Sequence, residues 1–309
     1  MEFKLIRQLA SQQQVHRNDV SVGIGDDAAC LQPPANHELI VSTDTLVNGV
    51  HFPESTSAEA IGFKSLAVNL SDIAAMGATP AWATLALTLP EADQSWLSRF
   101  MAGFYELAKQ YDVQVVGGDT TQGPLSITVT IMGLAPTGSA LKRDNAKSGD
   151  YLCVSGYLGQ AGYELTHLQG ENNAVNRLNY PMPRIELGQK LRAIAHSAID
   201  ISDGLIVDLG HLLEASRVGA EIKLESLPLA PDLSPTGQLY ELALTAGDDY
   251  ELCFTVPEAR MTELQAVQQS MAVPITAIGR IQDEPGLRIQ RDNGQPLVID
   301  PQGYQHFTR

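Results

Sequence analysis
The sequence predicts a two-domain α+β protein, with an α/β pattern in each half, and three observations carry that prediction. At 309 residues the chain exceeds the size at which a single hydrophobic core stops growing, so two cores are expected. Short β-branched runs alternate with helical stretches in both halves, the pattern of sheets covered by helices. Residues 135–149 read APTGSALKRDNAKSG, a change to Pro, Gly, Ser and charge that marks a boundary. The expected domains are residues 1–137 and 138–309.

Taken in order, Phe3, Ile6 and Leu9 suggest a short amphipathic opening helix. Residues 22–30, VGIGDDAAC, form a Gly-rich turn. Gly23, Gly25 and Ala28 mimic a dinucleotide fingerprint, but Asp26 and Asp27 stand where a pyrophosphate would approach, and a cation suits them better. A strand over 39–41 is expected to end on Ser42-Thr43-Asp44-Thr45, a cluster of hard oxygen donors, with His51 and Phe52 on the following loop. Residues 61–76, IGFKSLAVNLSDIAAM, read as a helix buried on most sides, started by a capping box at Thr56 and Glu59 and stopped by Gly77 and Pro80. Its charges are Lys64 and Asp72; Ser65, Asn69 and Asp72 draw one polar stripe at i, i+4 and i+7.

A strand follows at 83–89, then a helix capped by Asp93, with Tyr105 at the edge of its apolar face. Val113 to Val116 make a short strand ending on a turn, Gly117-Gly118-Asp119-Thr120-Thr121, and 125–134 make a longer one. In the second half a strand at 151–154, helices near 160–168 and 185–194, and the junction Asp200-Ile201-Ser202-Asp203-Gly204 lead into a helix with Leu205, Leu209, Leu212 and Leu213 on one face. Ala246 to Glu251 form another acidic turn before a strand at 252–256. A helix, a strand at 275–278 and a hairpin ending near Gly303-Tyr304 complete the chain.

Composition excludes several classes. With 44% hydrophobic and 18% charged residues this is an ordinary globular chain, and 20 Lys plus Arg against 36 Asp plus Glu leave a formal charge of -16 that repels nucleic acid and anionic membranes. Cys30, Cys153 and Cys253 are widely spaced without a CxxC, which argues against a disulfide framework or zinc site. Without a membrane-length apolar run or a signal-type leader, the expected location is the cytoplasm.

The chemistry rests on repetition. Asp27, Asp44, Asp72, Asp119, Asp200 and Asp203 mostly sit at strand ends or Gly turns beside Ser or Thr. Singly, each reads as a cap or turn residue; together they suggest a shared site. Two carboxylates about 4 Å apart repel by about 4 kcal/mol at an effective dielectric of about 20, so a converged set needs cations. Oxygen donors without clustered His or Cys point to Mg²⁺, and Mg²⁺ points to phosphoryl transfer from a nucleotide. No GxxxxGK[ST] loop or HRD or DFG signature is present, so nucleotide binding would rest on metal ions and Arg143 of the basic pair Lys142-Arg143.

The motifs GIGDDAA, STDTLVNGVHF, AVNLSDIAAMGATP, GGDTT, AIDISDGL and GDDYELCF, in this order and spacing, resemble the thiamine-monophosphate kinase family of the aminoimidazole-ribotide synthetase-like superfamily, over nearly the whole chain. The resemblance implies ATP-dependent phosphorylation of thiamine monophosphate to thiamine diphosphate by direct in-line transfer with several Mg²⁺ ions. It implies an amino-terminal domain, binding ATP and Mg²⁺, whose mixed sheet pairs with a partner subunit's in a barrel, making a homodimer. The carboxy-terminal α/β domain would close the cleft. By position, it makes Asp27, Ser42, Thr43, Asp44, Asp72, Asp119, Asp200 and Asp203 metal ligands, with Asp44, Asp72 and Asp119 central to catalysis. Tyr105, Gly118, Asp119, Arg143 and Ser202 would hold ATP; His51, Asp248 and Tyr304 would contact thiamine monophosphate. Some relatives carry Glu where this chain has Asp248. Two other readings stand beside this one: another superfamily enzyme, such as a selenophosphate synthetase or an aminoimidazole-ribotide synthetase, and a non-catalytic cation or nucleotide sensor. No reactive Cys with a nearby Lys precedes Gly23, which disfavours the selenophosphate reading.

Overall fold
A small antiparallel pair, β1 (Val20–Val22) with β2 (Cys30–Leu31), opens the computed structural model, which describes residues 12–167, 176–230 and 236–297. The expected opening helix on Phe3, Ile6 and Leu9 and the terminal Gly303-Tyr304 lie outside the described residues. The chain divides into two units, one within Met1–Ile73 and Ala78–Ser139, the other within Ala74–Gly77 and Ala140–Arg309.

The first unit is built on β3 (His37–Val47), β4 (Thr79–Leu89), β5 (Gln114–Gln122) and β6 (Ser126–Pro136), in the order β3-β6-β4-β5. All neighbours are antiparallel except β4 and β5, whose parallel pairing needs a long crossover. That crossover is α2 (Gln94–Gln110), begun by the expected cap: Asp93 accepts from the Ser95 and Trp96 amides at 2.8 and 3.1 Å. The other helix, α1 (Ala58–Ala75), starts one residue later than the expected capping box requires. Ser57, not Thr56, receives the Ala60 amide at 3.2 Å, which leaves Glu59 in the first turn as a charge favourable to the helix dipole. At the other end Gly77, at φ 65°, closes the helix with the amide-to-carbonyl pairs Gly77–Ala74 and Ala78–Ile73. The two helices cross at glycines: a Cβ on Gly62 would lie 1.9 Å from the Phe100 carbonyl oxygen, and one on Gly103 1.9 Å from that of Glu59.

Two strand expectations are corrected. Ser42 and Asp44 lie in the middle of β3 rather than at its end, because the strand pairs with β6 without a break from His37 through Val47. Cross-strand Thr pairs hold that part of the strand, Thr43 with Thr130 at 2.9 Å and Thr45 with Thr128 at 2.8 Å. Likewise Gly117 to Thr121 is strand, not turn, because their backbone pairs with Thr84 to Thr88 of β4. Gly118 permits that approach, since a Cβ there would meet the Leu85 carbonyl oxygen at 1.9 Å.

The second unit holds a six-stranded sheet in the order β12-β9-β11-β7-β10-β8. These strands are β7 (Tyr151–Ser155), β8 (Ser197–Asp200), β9 (Gly219–Lys223), β10 (Leu252–Val256), β11 (Ile275–Gln282) and β12 (Gly286–Gln290). Only β12 with β9 is parallel. The helices are α3 (Gln160–His167), α4 (Ile185–Leu191), α5 (Leu205–Ser216), α6 (Gly237–Thr245) and α7 (Met261–Gln269). The leucines expected along one face, Leu205, Leu209, Leu212 and Leu213, are buried in one core with Ile199, Ile222 and Ile281. Among the described residues no helix is long and apolar enough to cross a membrane.

Candidate active site
The first unit gathers four of its candidate polar residues where the middle of β3 faces α1. Ser42 and Asp44 share one face of the strand, and Asn69 and Asp72 share one face of the helix, three residues apart. They meet as two rungs: the Ser42 hydroxyl donates to Asp72 Oδ2 at 2.5 Å, and the Asp44 amide donates to Asn69 Oδ1 at 3.2 Å. Asn69, 1% exposed, returns its own amide group to the Ser65 carbonyl at 2.9 Å, and the Ser65 hydroxyl donates to Gly62. The polar stripe is thus a brace between helix and strand. Asp72 itself is half-buried rather than stranded in the core. The fully buried charge on this helix is Lys64, whose ammonium donates to the His51 carbonyl at 3.2 Å.

His51 is held from both ends. The Val47 amide donates to its Nδ1 at 3.0 Å, so that nitrogen carries no proton and the neutral ring presents Nε2–H as a donor. Thr43 departs from the set, because its hydroxyl is directed to Thr130 on the opposite face of β3 from Ser42 and Asp44. Asp119 and Gly118 are exposed on edge strand β5. Asp27 is exposed on the turn between β1 and β2, where its amide donates to Asp26 at 2.8 Å. Tyr105 is buried on the apolar face of α2, edge-on to Phe104, and burial pushes its phenol well up.

In the second unit Asp200 ends β8 and is buried, while Ser202 and Asp203 occupy the turn that leads into α5. That turn is held by a residue absent from the sequence reading. Asp208, in the first turn of α5, accepts the Ser202 and Asp203 amides at 3.0 Å each, and burial pushes its carboxyl up to about 7. The spacing from Ser202-Asp203 to an Asp one helical turn on is the signal that could have found it. Arg143 is exposed, its carbonyl receiving the Ser216 hydroxyl at 2.6 Å.

Asp248 lies beside this turn. Its amide donates to the Ser202 carbonyl at 2.9 Å and the Tyr250 amide donates to that of Ile201 at 2.8 Å, extending the pairing of β8 and β10 beyond the strand ends. Both residues are left-handed, Asp248 at φ 67° and Tyr250 at φ 48°, which costs each about 1–2 kcal/mol for a non-glycine side chain. Between and after them, Asp249 and Glu251 are buried acids. Both Asp249 oxygens accept the Gly159 amide, and burial first, with Glu251 and Asp248 adding to it, raises its carboxyl well above the ordinary range. Tyr304 lies outside the described residues. Among the described residues no three acidic, His or Cys side chains stand together as a preformed cation cage.

Within the first unit, β3 and α1 present hard oxygen donors and the His51 ring presents an N–H, groups of the kind that engage phosphates and their cations. The family model for the AIR synthase related protein N-terminal domain matches residues 25–135, and that for the C-terminal domain matches residues 147–292. A thiamine-monophosphate kinase from Salmonella typhimurium is 47% identical over 320 residues, covering 99% of this chain and 98% of the relative. The crystal structure of thiamine-monophosphate kinase from Stenotrophomonas maltophilia superposes with a TM-score of 0.85 at 46% identity, covering 95% of this chain and 96% of that one. A structure of "AaThiL complexed with AMPPCP and TMP" superposes with a TM-score of 0.76 at 32% identity, covering 99% of this chain and 96% of that one.

Proposed function
The chain belongs to the thiamine-monophosphate kinase family of AIR synthase related proteins, and from that premise we propose that it phosphorylates thiamine monophosphate with ATP, giving thiamine diphosphate and ADP. The observation that carries this reading is the likeness over 99% of the chain to a protein complexed with both AMPPCP and TMP. Transfer is direct and in line: an oxygen of the acceptor phosphate bonds to the γ-phosphorus of ATP as the bond to the bridging oxygen breaks, and ADP leaves with that electron pair. An acceptor phosphate is already ionised, so the chain supplies position and electrostatics rather than a strong base.

The donor chemistry fits Mg²⁺. The residues assigned to it, Asp27, Ser42, Asp44, Asp72, Asp119, Asp200 and Asp203, offer hard oxygens, and the Ser42–Asp72 and Asp44–Asn69 rungs hold three of them in fixed relation. Thr43 is assigned with them, although its hydroxyl is engaged by Thr130. When bound, Mg²⁺ neutralises phosphate charge and polarises the transferring group as a Lewis acid. Asp44, Asp72 and Asp119 are the acids central to catalysis. Arg143, Gly118, Ser202 and Tyr105 are assigned to the nucleotide, and of these Tyr105 has the least access to it. His51 presents Nε2–H to the acceptor phosphate; Asp248 and Tyr304 are assigned to the cationic thiamine, a carboxylate and an aromatic ring being groups that attract a cation.

The first domain, residues 1–137, would carry Mg²⁺ binding and dimerisation, and residues 138–309 would close the cleft. The edge strand β3 supports a homodimer: among the described residues no strand pairs with its outer side, and Leu39 and Val41 are 47% and 54% exposed on it. The test is ADP release and thiamine diphosphate formation with thiamine monophosphate, against thiamine and aminoimidazole precursors as acceptors. Turnover confined to thiamine monophosphate is expected. Binding without turnover would support the sensor reading, and turnover with an aminoimidazole precursor would support the other enzyme.

A further inference from the structure
The second unit contains a buried charge cluster to which the proposed reaction gives no role. Glu251, fully buried, accepts Arg184 Nε at 2.6 Å and the Ser155 hydroxyl at 2.6 Å, and it pairs with the Nη2 groups of both Arg177 and Arg184. Its carboxylate rests directly on Gly156, where a Cβ would lie 2.0 Å from Oε1. Arg177 reaches further, donating also to the Asp249 carbonyl at 3.2 Å. It therefore clamps the peptide between the two left-handed residues, Asp248 and Tyr250.

A buried ion pair is poor value as a source of stability, since desolvation offsets most of its attraction. Strained non-glycine residues persist where their surroundings over-determine them, and they gather at sites that need a side chain aimed in one direction. Here the surroundings are specific. The Asp248 and Tyr250 amides are tied to the Ser202 and Ile201 carbonyls, Gly247 presses on the Ser202 carbonyl at a distance no Cβ would allow, and the Tyr250 hydroxyl donates to Asp248 Oδ1 at 3.0 Å. The aim of the Asp248 carboxylate is thus set by Tyr250, and the conformation of Tyr250 is set by the Arg177 clamp.

We propose that Arg177, through Glu251 and the Asp249 carbonyl, is a positioning residue for the acceptor side of the site: it holds the left-handed Asp248–Tyr250 turn so that Asp248 meets the cationic part of the acceptor at a fixed place beside the Ser202–Asp203 turn. This rests on the assignment of Asp248 to the acceptor in the proposed function. Arg184, which pairs with the same carboxylate from the start of α4, anchors the clamp.

The test is steady-state kinetics of the full chain with thiamine monophosphate and ATP varied in turn, beside thermal unfolding. Arg177→Met is expected to raise the KM for thiamine monophosphate about tenfold with the KM for ATP within about twofold, the signature of lost uniform binding to one substrate. Tyr250→Phe, which deletes one hydroxyl, is expected to move the same KM in the same direction by about threefold. It decides the matter if Arg177→Met does not fold. An unchanged acceptor KM in Tyr250→Phe and in any folded Arg177→Met, whatever their melting temperatures, overturns the positioning role. Wild-type protein that turns over thiamine monophosphate while both variants keep its KM refutes this inference alone; wild-type protein that does not turn it over refutes the functional reading and this inference with it.

Discussion
The two units hold their acids by different means. In the first, Ser42, Asp44, Asn69 and Asp72 stand on regular strand and helix backbone, and two hydrogen bonds between strand and helix lock one element to the other. In the second, Ser202, Asp203 and Asp248 stand on turns, and buried acids do the holding: Asp208 under one turn, Asp249 and Glu251 with two arginines under the other. Regular backbone satisfies its own polar groups, so side chains are left over for chemistry. A turn satisfies few of its own, and the side chains that satisfy them become part of the fold. Substitutions at the first site should therefore change kinetics and leave folding alone, whereas those at the second should change both.

The largest expected effect is at Asp72. Asp72→Asn keeps an acceptor for the Ser42 hydroxyl but removes the charge, and turnover in Mg²⁺ should fall by about 100-fold or more, about 2.7 kcal/mol in the barrier, with the unfolding transition unmoved. An unchanged rate would remove Asp72 from the metal ligands. Next comes Asp208→Ala, which takes the acceptor from the half-buried Ser202 and Asp203 amides. Here a stability loss of about 1–3 kcal/mol should accompany the loss of activity, read by denaturant titration beside the rate. Equal stability in that variant would erase the contrast between the units.

Asn69→Leu sharpens the contrast from the other side. It removes the Asp44 rung while keeping a side chain branched at the same carbon, so the Mg²⁺ concentration for half-maximal rate should rise by about tenfold, about 1.4 kcal/mol, with a smaller change in stability. A large fall in melting temperature with unaltered Mg²⁺ dependence would make Asn69 a fold residue like Asp208. The smallest effect is in pH dependence. The Asp249 carboxyl is raised in the folded state, so the folded chain binds a proton that the unfolded chain has released. Its contribution therefore favours folding below the ordinary carboxylate pKa of 3.8 and is lost as pH rises from there toward the raised folded value. Asp249→Asn should flatten that part of a stability-against-pH curve.

Much of this was legible in the residues. The Asp93 cap, the Gly77 stop and the leucine face of α5 are local patterns, fixed by amide geometry and helical period, and the structure repeats them. Where the reading slipped, distant pairing decided. Ser57 displaced Thr56 as the cap of α1, and Gly117 to Thr121 became strand because β4 offered them partners. Arg177 and Glu251 carried no periodic signal at all, since a salt bridge over 74 residues leaves no spacing to count, whereas Asp208 had a local one in its distance from Ser202-Asp203.

What the sequence determined by itself was the set of chemical groups: hard oxygen donors recurring beside Ser, Thr and Gly, an acidic chain without clustered thiols, and six ordered motifs that resemble one kinase family. Tertiary structure alone decided which of those groups face one another. Asp72 illustrates the division, because an Asp on an apolar helix announces a need for partners, but the Ser42 hydroxyl that meets it lies 30 residues away on a strand. Sequence records donors and acceptors one by one; their pairing is a property of the folded chain, where burial makes every polar group find a partner.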